Sequence, residues 1–156
     1  MGKITRAELA TNDIVWLLDI TYAGRVFHFA SKTVDVRKAD GTYIPYDGQL
    51  DYLEFEESFN LFGEMPENLN YQFALVFPVD VPALIANGHP ISVATGDLSM
   101  HVGNHDYEDR YSVIKNGAII EPVYGEASEP IEFSLQQTLS AGGVMLPTNS
   151  MVIDEV

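Results

Sequence analysis

RYSVIKNGAIIEPVYGEASEPIEFSLQQ, Arg110 to Gln137, reads as two strand-and-return units. Tyr111 and Val113 lead into Asn116-Gly117, a pair suited to a type I′ hairpin turn because both of its central positions need φ > 0. The chain resumes as Ala118, Ile119 and Ile120, breaks at Pro122 and turns again between Gly125 and Pro130. Ile131, Phe133 and Leu135 then alternate with Glu132, Ser134 and Gln136, the period of a strand with one buried face.

The same punctuation recurs upstream. Thr5 to Thr11 has the spacing of a capping box, with Thr5 as cap and Glu8 three residues on. Ile14 to Tyr22, IVWLLDITY, is too short and too apolar for a surface helix and predicts a central strand. Ala23-Gly24 returns it through Arg25 to Ser31, and Ala39-Asp40-Gly41 joins Thr33–Arg37 to Thr42–Tyr46 as a second hairpin. Leu50 to Phe59 reads as a strand with a bulge at Glu57-Ser58, and Phe62 to Asn70 as a loop. Tyr71 to Val79 alternates, and both of its faces are mostly apolar, which predicts a strand between two layers. Asp80 to Gly88 carries the marks of a short helix: Asp80 as cap, Pro82 in the first turn and Gly88 at the end. Ile91–Thr95 and Leu98–Val102 read as two strands joined at Gly96-Asp97, and Gly103 to Asp109, GNHDYED, as a polar loop. MVIDEV at the end has strand composition. Roughly nine to eleven short strands with one short helix and no βαβ alternation predict an all-β domain, an antiparallel barrel or sandwich.

A chain of 156 residues fits a single domain spanning 1–156, with 1–13 and 138–156 as extensions toward neighbours. With no cysteine, neither disulfides nor thiolate metal sites hold it together. The net charge is −15, from 23 acidic and 8 basic residues, yet 46% of the chain is hydrophobic and 11% aromatic. That combination describes a folded domain with an acidic surface, which repels nucleic-acid phosphates and anionic membranes. No apolar run approaches the ~20 residues that span a bilayer, and MGKITRAELATND lacks the apolar core of a secretory signal. These features predict a soluble protein made in the cytoplasm, with no membrane partner.

Candidate chemistry is sparse. His101, His105, Asp106 and Asp109 are of ligand type for a cation, but their spacing lacks an EF-hand loop, and His101 is expected on the outward face of its strand with Ser99. Structural or solvated roles are the simpler reading. Glu54 and Glu56 would stand about 6.6 Å apart on one strand face, within the range of a glycosidase pair, but in so acidic a chain such pairs arise by chance. There is no G-x-S-x-G elbow and no glycine-rich phosphate loop, and His28 and His89 read as strand and loop residues. Trp16, Tyr22, Tyr43, Tyr46 and Tyr52 are the aromatics available for a carbohydrate platform, but core packing is the more economical reading for Trp16, while Tyr43 and Tyr46, near a turn, fit either an exposed or a buried place. No catalytic, cofactor or metal residue is assigned, and the chain is not expected to be an enzyme.

Pro122, Tyr124, Gly125, Glu129, Pro130, Ile131, Phe133 and Leu135 form a P-x-Y-G…E-P-I-x-F-x-L stretch that resembles the hub proteins of tailed-phage baseplates and tail tips. Leu17 to Ser31, LLDITYAGRVFHFAS, is similar to the strand, tight turn and aromatic return with which such proteins begin. The likeness covers about half the chain, and hub proteins of this type are usually longer. It implies a structural virion protein of the tail, assembled in the host cytoplasm. It further implies a tube-type β-barrel, a homo-oligomer with a trimer favoured, other tail proteins as partners, and DNA met only by passage through an acidic lumen. The competing expectation is a monomeric carbohydrate-binding β-sandwich.

Overall fold

The computed structural model describes residues 3–50, 68–126 and 129–138. Helix α1 (Arg6–Thr11) precedes strands β1 (Ile14–Tyr22), β2 (Arg25–Ala30), β3 (Val34–Arg37), β4 (Tyr43–Gly48) and β5 (Asn68–Leu75). Helix α2 (Val81–Ala86) and strands β6 (Thr95–Val102), β7 (Tyr111–Val123) and β8 (Ile131–Thr138) follow. The eight strands form one sheet in the order β3-β4-β2-β1-β6-β7-β8-β5, antiparallel except for the short β2–β4 pairing. The protein is therefore β-rich, as its turn punctuation predicts, but the sheet does not close into a barrel.

β1 lies near the middle because both of its faces are apolar. Trp16, Leu18, Ile20 and Tyr22 enter the main core with Phe27, Phe29, Leu98, Met100 and Leu135. Val15 and Leu17 point the other way, into a second cluster with Ala30, Val36 and Tyr46 from the β3–β4 hairpin. At the far edge the chain beyond β5 curls back, and Phe77 packs edge-on against Phe27 and Phe29 at 5.2 Å each. Beside it the Gln49 amide accepts from Val76 N at 2.8 Å and donates to Val76 O at 3.0 Å. A side chain thus makes the pair of bonds that a neighbouring strand would make.

The local signals for both helices hold. Thr5 and Glu8 form the capping box, and Asp80 accepts from Ala83 N with Gly88 at φ +95° beyond the C-terminus. Ala23 and Gly24 take positive φ in the first hairpin, as a tight turn demands.

Asn116-Gly117 is not a turn. β7 runs through it, flanked by β6 and β8, and Lys115 and Asn116 stand opposite the single residue Asp97. Asn116 uses its left-handed φ of 55° for this bulge, and its N–H goes to Asp97 Oδ1 at 2.7 Å. The backbone preference was legible, but a strand with partners on both sides uses it to bend rather than to reverse. Pro122 does not end the strand either. Glu121 (φ 52°) and Pro122 face the single residue Phe133, a bulge where a missing N–H is tolerated.

Three further expectations are corrected. Ile91–Val93 is a 3-10 turn, and β6 is continuous through Gly96-Asp97. A Cβ on Gly96 would lie 2.8 Å from Leu135 Cδ1 and 3.0 Å from Ile20 Cδ1, so the glycine makes room for packing instead of turning the chain. β5 begins at Asn68, within the expected loop, and one face only is buried: Tyr71, Phe73 and Leu75 point in while Gln72 and Ala74 are exposed. Glu54 and Glu56, the rest of the Leu50–Phe59 strand after Leu50, residues 62–67 and MVIDEV lie outside the described residues.

Gly96→Ala is expected to cost about 1–3 kcal/mol in urea unfolding through overpacking against Ile20 and Leu135. Gly103→Ala, where an added Cβ meets nothing within 4 Å, should change stability by less than about 0.5 kcal/mol.

Candidate functional site

The link from β6 to β7 is longer than a hairpin needs, and its extra length becomes a polar staple. Gly103 to Arg110 turns at Asn104 (φ 78°) and winds through the 3-10 turn Tyr107–Asp109. Its groups reach out to every element around it. Asp106 Oδ1 accepts from Arg37 Nε and Nη2 of β3, both at 2.9 Å. Glu108 accepts from Ala39 N at 2.9 Å through its side chain and from Lys3 Nζ at 2.7 Å through its carbonyl. Asp109 O accepts from Ile4 N at 3.0 Å.

Inward, the loop meets a buried carboxylate that sequence reading passed over. Asp19 of β1 is 4% exposed, the one buried acid among the described residues. Tyr46 OH and His28 Nδ1 donate to its Oδ1 at 2.7 and 2.6 Å, and Tyr107 OH donates to Oδ2 at 3.1 Å. Three donors offset the desolvation that a lone carboxylate would suffer here. The Arg110 guanidinium stacks 3.9 Å from the Tyr107 ring centre and adds positive charge nearby. Burial, then the negative charge of Asp19, pushes the Tyr46 hydroxyl far above the ordinary range and that of Tyr107 up to about 12. The signal in the sequence was a single acid inside IVWLLDITY, a strand with no exposed face on which to put it.

The four residues weighed for a cation are held apart by other duties. His101 faces inward under the loop, not outward, and its Nε2 donates to His105 O at 2.8 Å. His105, also buried, bonds Glu8 Oε2 through its own Nε2 at 2.7 Å. Asp106 holds Arg37, and Asp109 contributes its carbonyl to Ile4. Among the described residues no group of three or more His, Asp and Glu is arranged to hold a metal ion. Glu8 is held below the usual carboxylate range by its bond to His105, and burial holds His101 below 6.5.

The aromatic platform is dispersed too. Trp16, Tyr22 and Tyr46 are buried, Tyr43 is 61% exposed, and Tyr52 lies outside the described residues. His89 offers its carbonyl to Tyr22 OH at 2.6 Å. Two open clefts indent the surface. One, of about 460 Å³, lies over β5, β7 and β8 with Gln49, Gln72, Glu121, Glu132 and Ser134 in its walls. The other, of about 420 Å³, lies between β3 and the loop, walled by Lys32, Arg37, Tyr43, His101 and Asn104.

The P-x-Y-G…E-P stretch has a mechanical meaning. The Glu129 carboxylate accepts from Glu126 N at 2.9 Å, and a Cβ on Gly125 would collide with that carboxylate. The glycine and the glutamate together close the turn from β7 to β8. Chemically, the polar centre ties elements together: the hydroxyls beside its Asp-His pair are those of Tyr46 and Tyr107, which are held protonated. Among the described residues no helix is long and apolar enough to cross a membrane. No protein-family model, no curated protein and no solved structure matches the chain.

Removing Asp19 should be the costliest polar change: Asp19→Ala is expected to lose about 3–5 kcal/mol, since it strands buried partners. Tyr46→Phe should lose about 1.5–3 kcal/mol, both read by denaturant unfolding. The raised tyrosines predict the alkaline limb. Their contribution is complete below the ordinary tyrosine value of 10.0 and is lost as pH rises through the folded values. Absorbance at the phenolate band should therefore show at least two tyrosines ionising only as the fold is lost, and Tyr107→Phe should remove one of them.

Proposed function

We propose that the chain is a structural virion protein of a phage tail tip or baseplate hub, in which neighbouring copies continue the sheet around a DNA-conducting tube. The observation that carries this reading is a β-rich domain whose single sheet does not close on itself. Its end strands among the described residues are β3 and β5. A sheet of that kind gains from a neighbour, because added strands satisfy edge groups and cyclic symmetry makes the series finite. A trimer is the favoured ring, and other tail proteins are the partners.

Two more features support it. The Pro122–Leu135 stretch, on which the likeness to hub proteins rests, builds a specific closed turn and a half-buried strand. The charge of −15 suits a conduit for DNA, since like charge keeps phosphates from adhering to the wall. Glu121 and Glu132 both line the open cleft over β5, β7 and β8, and among the described residues no lysine or arginine does. The reading needs no catalytic residue and no cofactor. With Trp16, Tyr22 and Tyr46 buried, Tyr43 is the one exposed platform candidate among the described residues, and a single ring makes no platform.

Light scattering at micromolar concentration should give a ring-sized particle, alone or on adding other tail proteins. A chain that stays monomeric in both conditions overturns the proposal. Glu121→Lys with Glu132→Lys should leave the melting temperature within a few degrees and slow DNA delivery by assembled particles; undiminished delivery would remove these acids from the lumen.

A further inference from the structure

The Gly103–Arg110 loop holds two peripheral elements, the N-terminal arm and the β3–β4 hairpin. The N-terminal arm is tied to it by Lys3, Ile4 and Glu8, and seats Ile4 and Leu9 in the main core. The β3–β4 hairpin is tied to it by Arg37 and Ala39, and through Tyr46 and Tyr107 by their shared carboxylate Asp19. The hairpin pairs with the rest of the sheet through two parallel residue pairs, Phe29 with Asp47 and Ala30 with Gly48, and packs Val36 and Tyr46 on Val15, Leu17 and Ala30. The loop is thus the polar anchor that both elements share, beside the apolar seats of Ile4 and Leu9 and of Val36 and Tyr46.

His101 is the group placed to do so. It comes from β6, is buried beneath the loop and donates one proton, from Nε2, to the loop carbonyl of His105. A second proton would have to go on Nδ1 and would bury a cation. The charges around it come from every neighbouring element: Glu8 on α1 through His105, Asp13 before β1, Lys32, Asp35 and Arg37 along the cleft, and Asp106 and Arg110 on the loop itself. Beside it the His105 imidazole and the Arg110 guanidinium oppose the added charge and Asp106 favours it, while Arg37 already occupies Asp106.

We propose that this loop is an acid-released staple: protonation of His101 frees Gly103–Arg110 and, with it, the N-terminal arm and the β3–β4 hairpin together, while β1, β2 and β5–β8 stay paired. Burial leads in holding His101 below 6.5, with the bond to the His105 carbonyl opposing. The sign follows from linkage. A group whose folded value is depressed stabilises the closed loop fully above 6.5, and that stabilisation is lost as pH falls through the folded value. Below the ordinary glutamate value of 4.5, loss of the Glu8 charge weakens the arm's bond to His105 in the same direction. Release would uncover the apolar seat of Ile4 and Leu9 beside the sheet. The inference stands independently of the tail assignment.

The test is hydrogen exchange read by mass spectrometry on the full chain at pH 7.5 and 5.5, with labelling times scaled for intrinsic exchange. Segments 3–12, 34–48 and 103–110 should gain exchange together at pH 5.5, by about tenfold, while β1 and β6 stay protected. His101→Gln, which keeps a donor near Nε2 and cannot titrate, should abolish the response. Equal protection at both pH values, segments that loosen separately, or an unaltered response in the variant would each overturn the proposal. If the variant does not fold, the unmodified protein decides: protection of 103–110 that is lost along the same pH midpoint as the His101 imidazole nitrogen shifts supports the proposal, and loss that follows a different midpoint, or none, overturns it.

Discussion

A carboxylate in the middle of the most apolar strand has to be given donors, and much of the periphery is arranged to supply them. Asp19 sits on the face of β1 opposite the main core, where Val15 and Leu17 already require a cover. Tyr46 brings β4 to it, His28 brings β2, and Tyr107 brings the loop between β6 and β7. Apolar packing and polar satisfaction thus fall on the same elements. Burying a carboxylate is never itself stabilising, so its worth is in position: the hairpin and the loop fit in the one arrangement that meets all three bonds.

The other half of the sheet is governed by close approach. Gly96 and Gly117 face each other across β6 and β7, and Leu135 of β8 fills the space that side chains there would need. The bulges in β7 opposite Asp97 and opposite Phe133 bend that long strand. Curvature of this kind brings the chain past β5 round to β2, where Phe77 lies among Phe27, Phe29 and Tyr22. The Gln49 amide, just past β4, bridges to Val76, just past β5. This geometry suits a wall segment that neighbours extend, the basis of the hub proposal. The staple adds a second property to the same body: a stiff sheet carrying two appendages under one control.

Turn and cap chemistry was legible wherever it acts locally. The capping box of Thr5 and Glu8, the Asp80 cap, the turns at Ala23-Gly24 and Ala39-Asp40-Gly41, and the alternation of Ile131, Phe133 and Leu135 all lie within a few residues of the partners that define them. Asn116-Gly117 misled because positive φ serves a bulge as well as a turn, and the difference is whether β8 stands on the other side. Gly96 misled for a related reason: a glycine needed by Leu135, 39 positions later, looks like a glycine needed by its own backbone.

Of the functional region, the sequence identified the residue types and their polarity. GNHDYED was recognisably a polar loop, and its histidine and acids were of the right kind to bind something. What they bind is other parts of the chain: Glu8 lies 97 positions from His105, Arg37 lies 69 from Asp106, and Asp19 lies 88 from Tyr107. The sequence by itself determined the strand-rich class, the short helices with their caps and the acidic surface, because propensity, capping and charge act over a few residues or need no neighbour at all. Tertiary structure alone decided that the sheet stays open, that Asn116 bends a strand and that Asp19 and His101 are buried, because burial and hydrogen-bond partners are set by residues that meet only when the sheet forms.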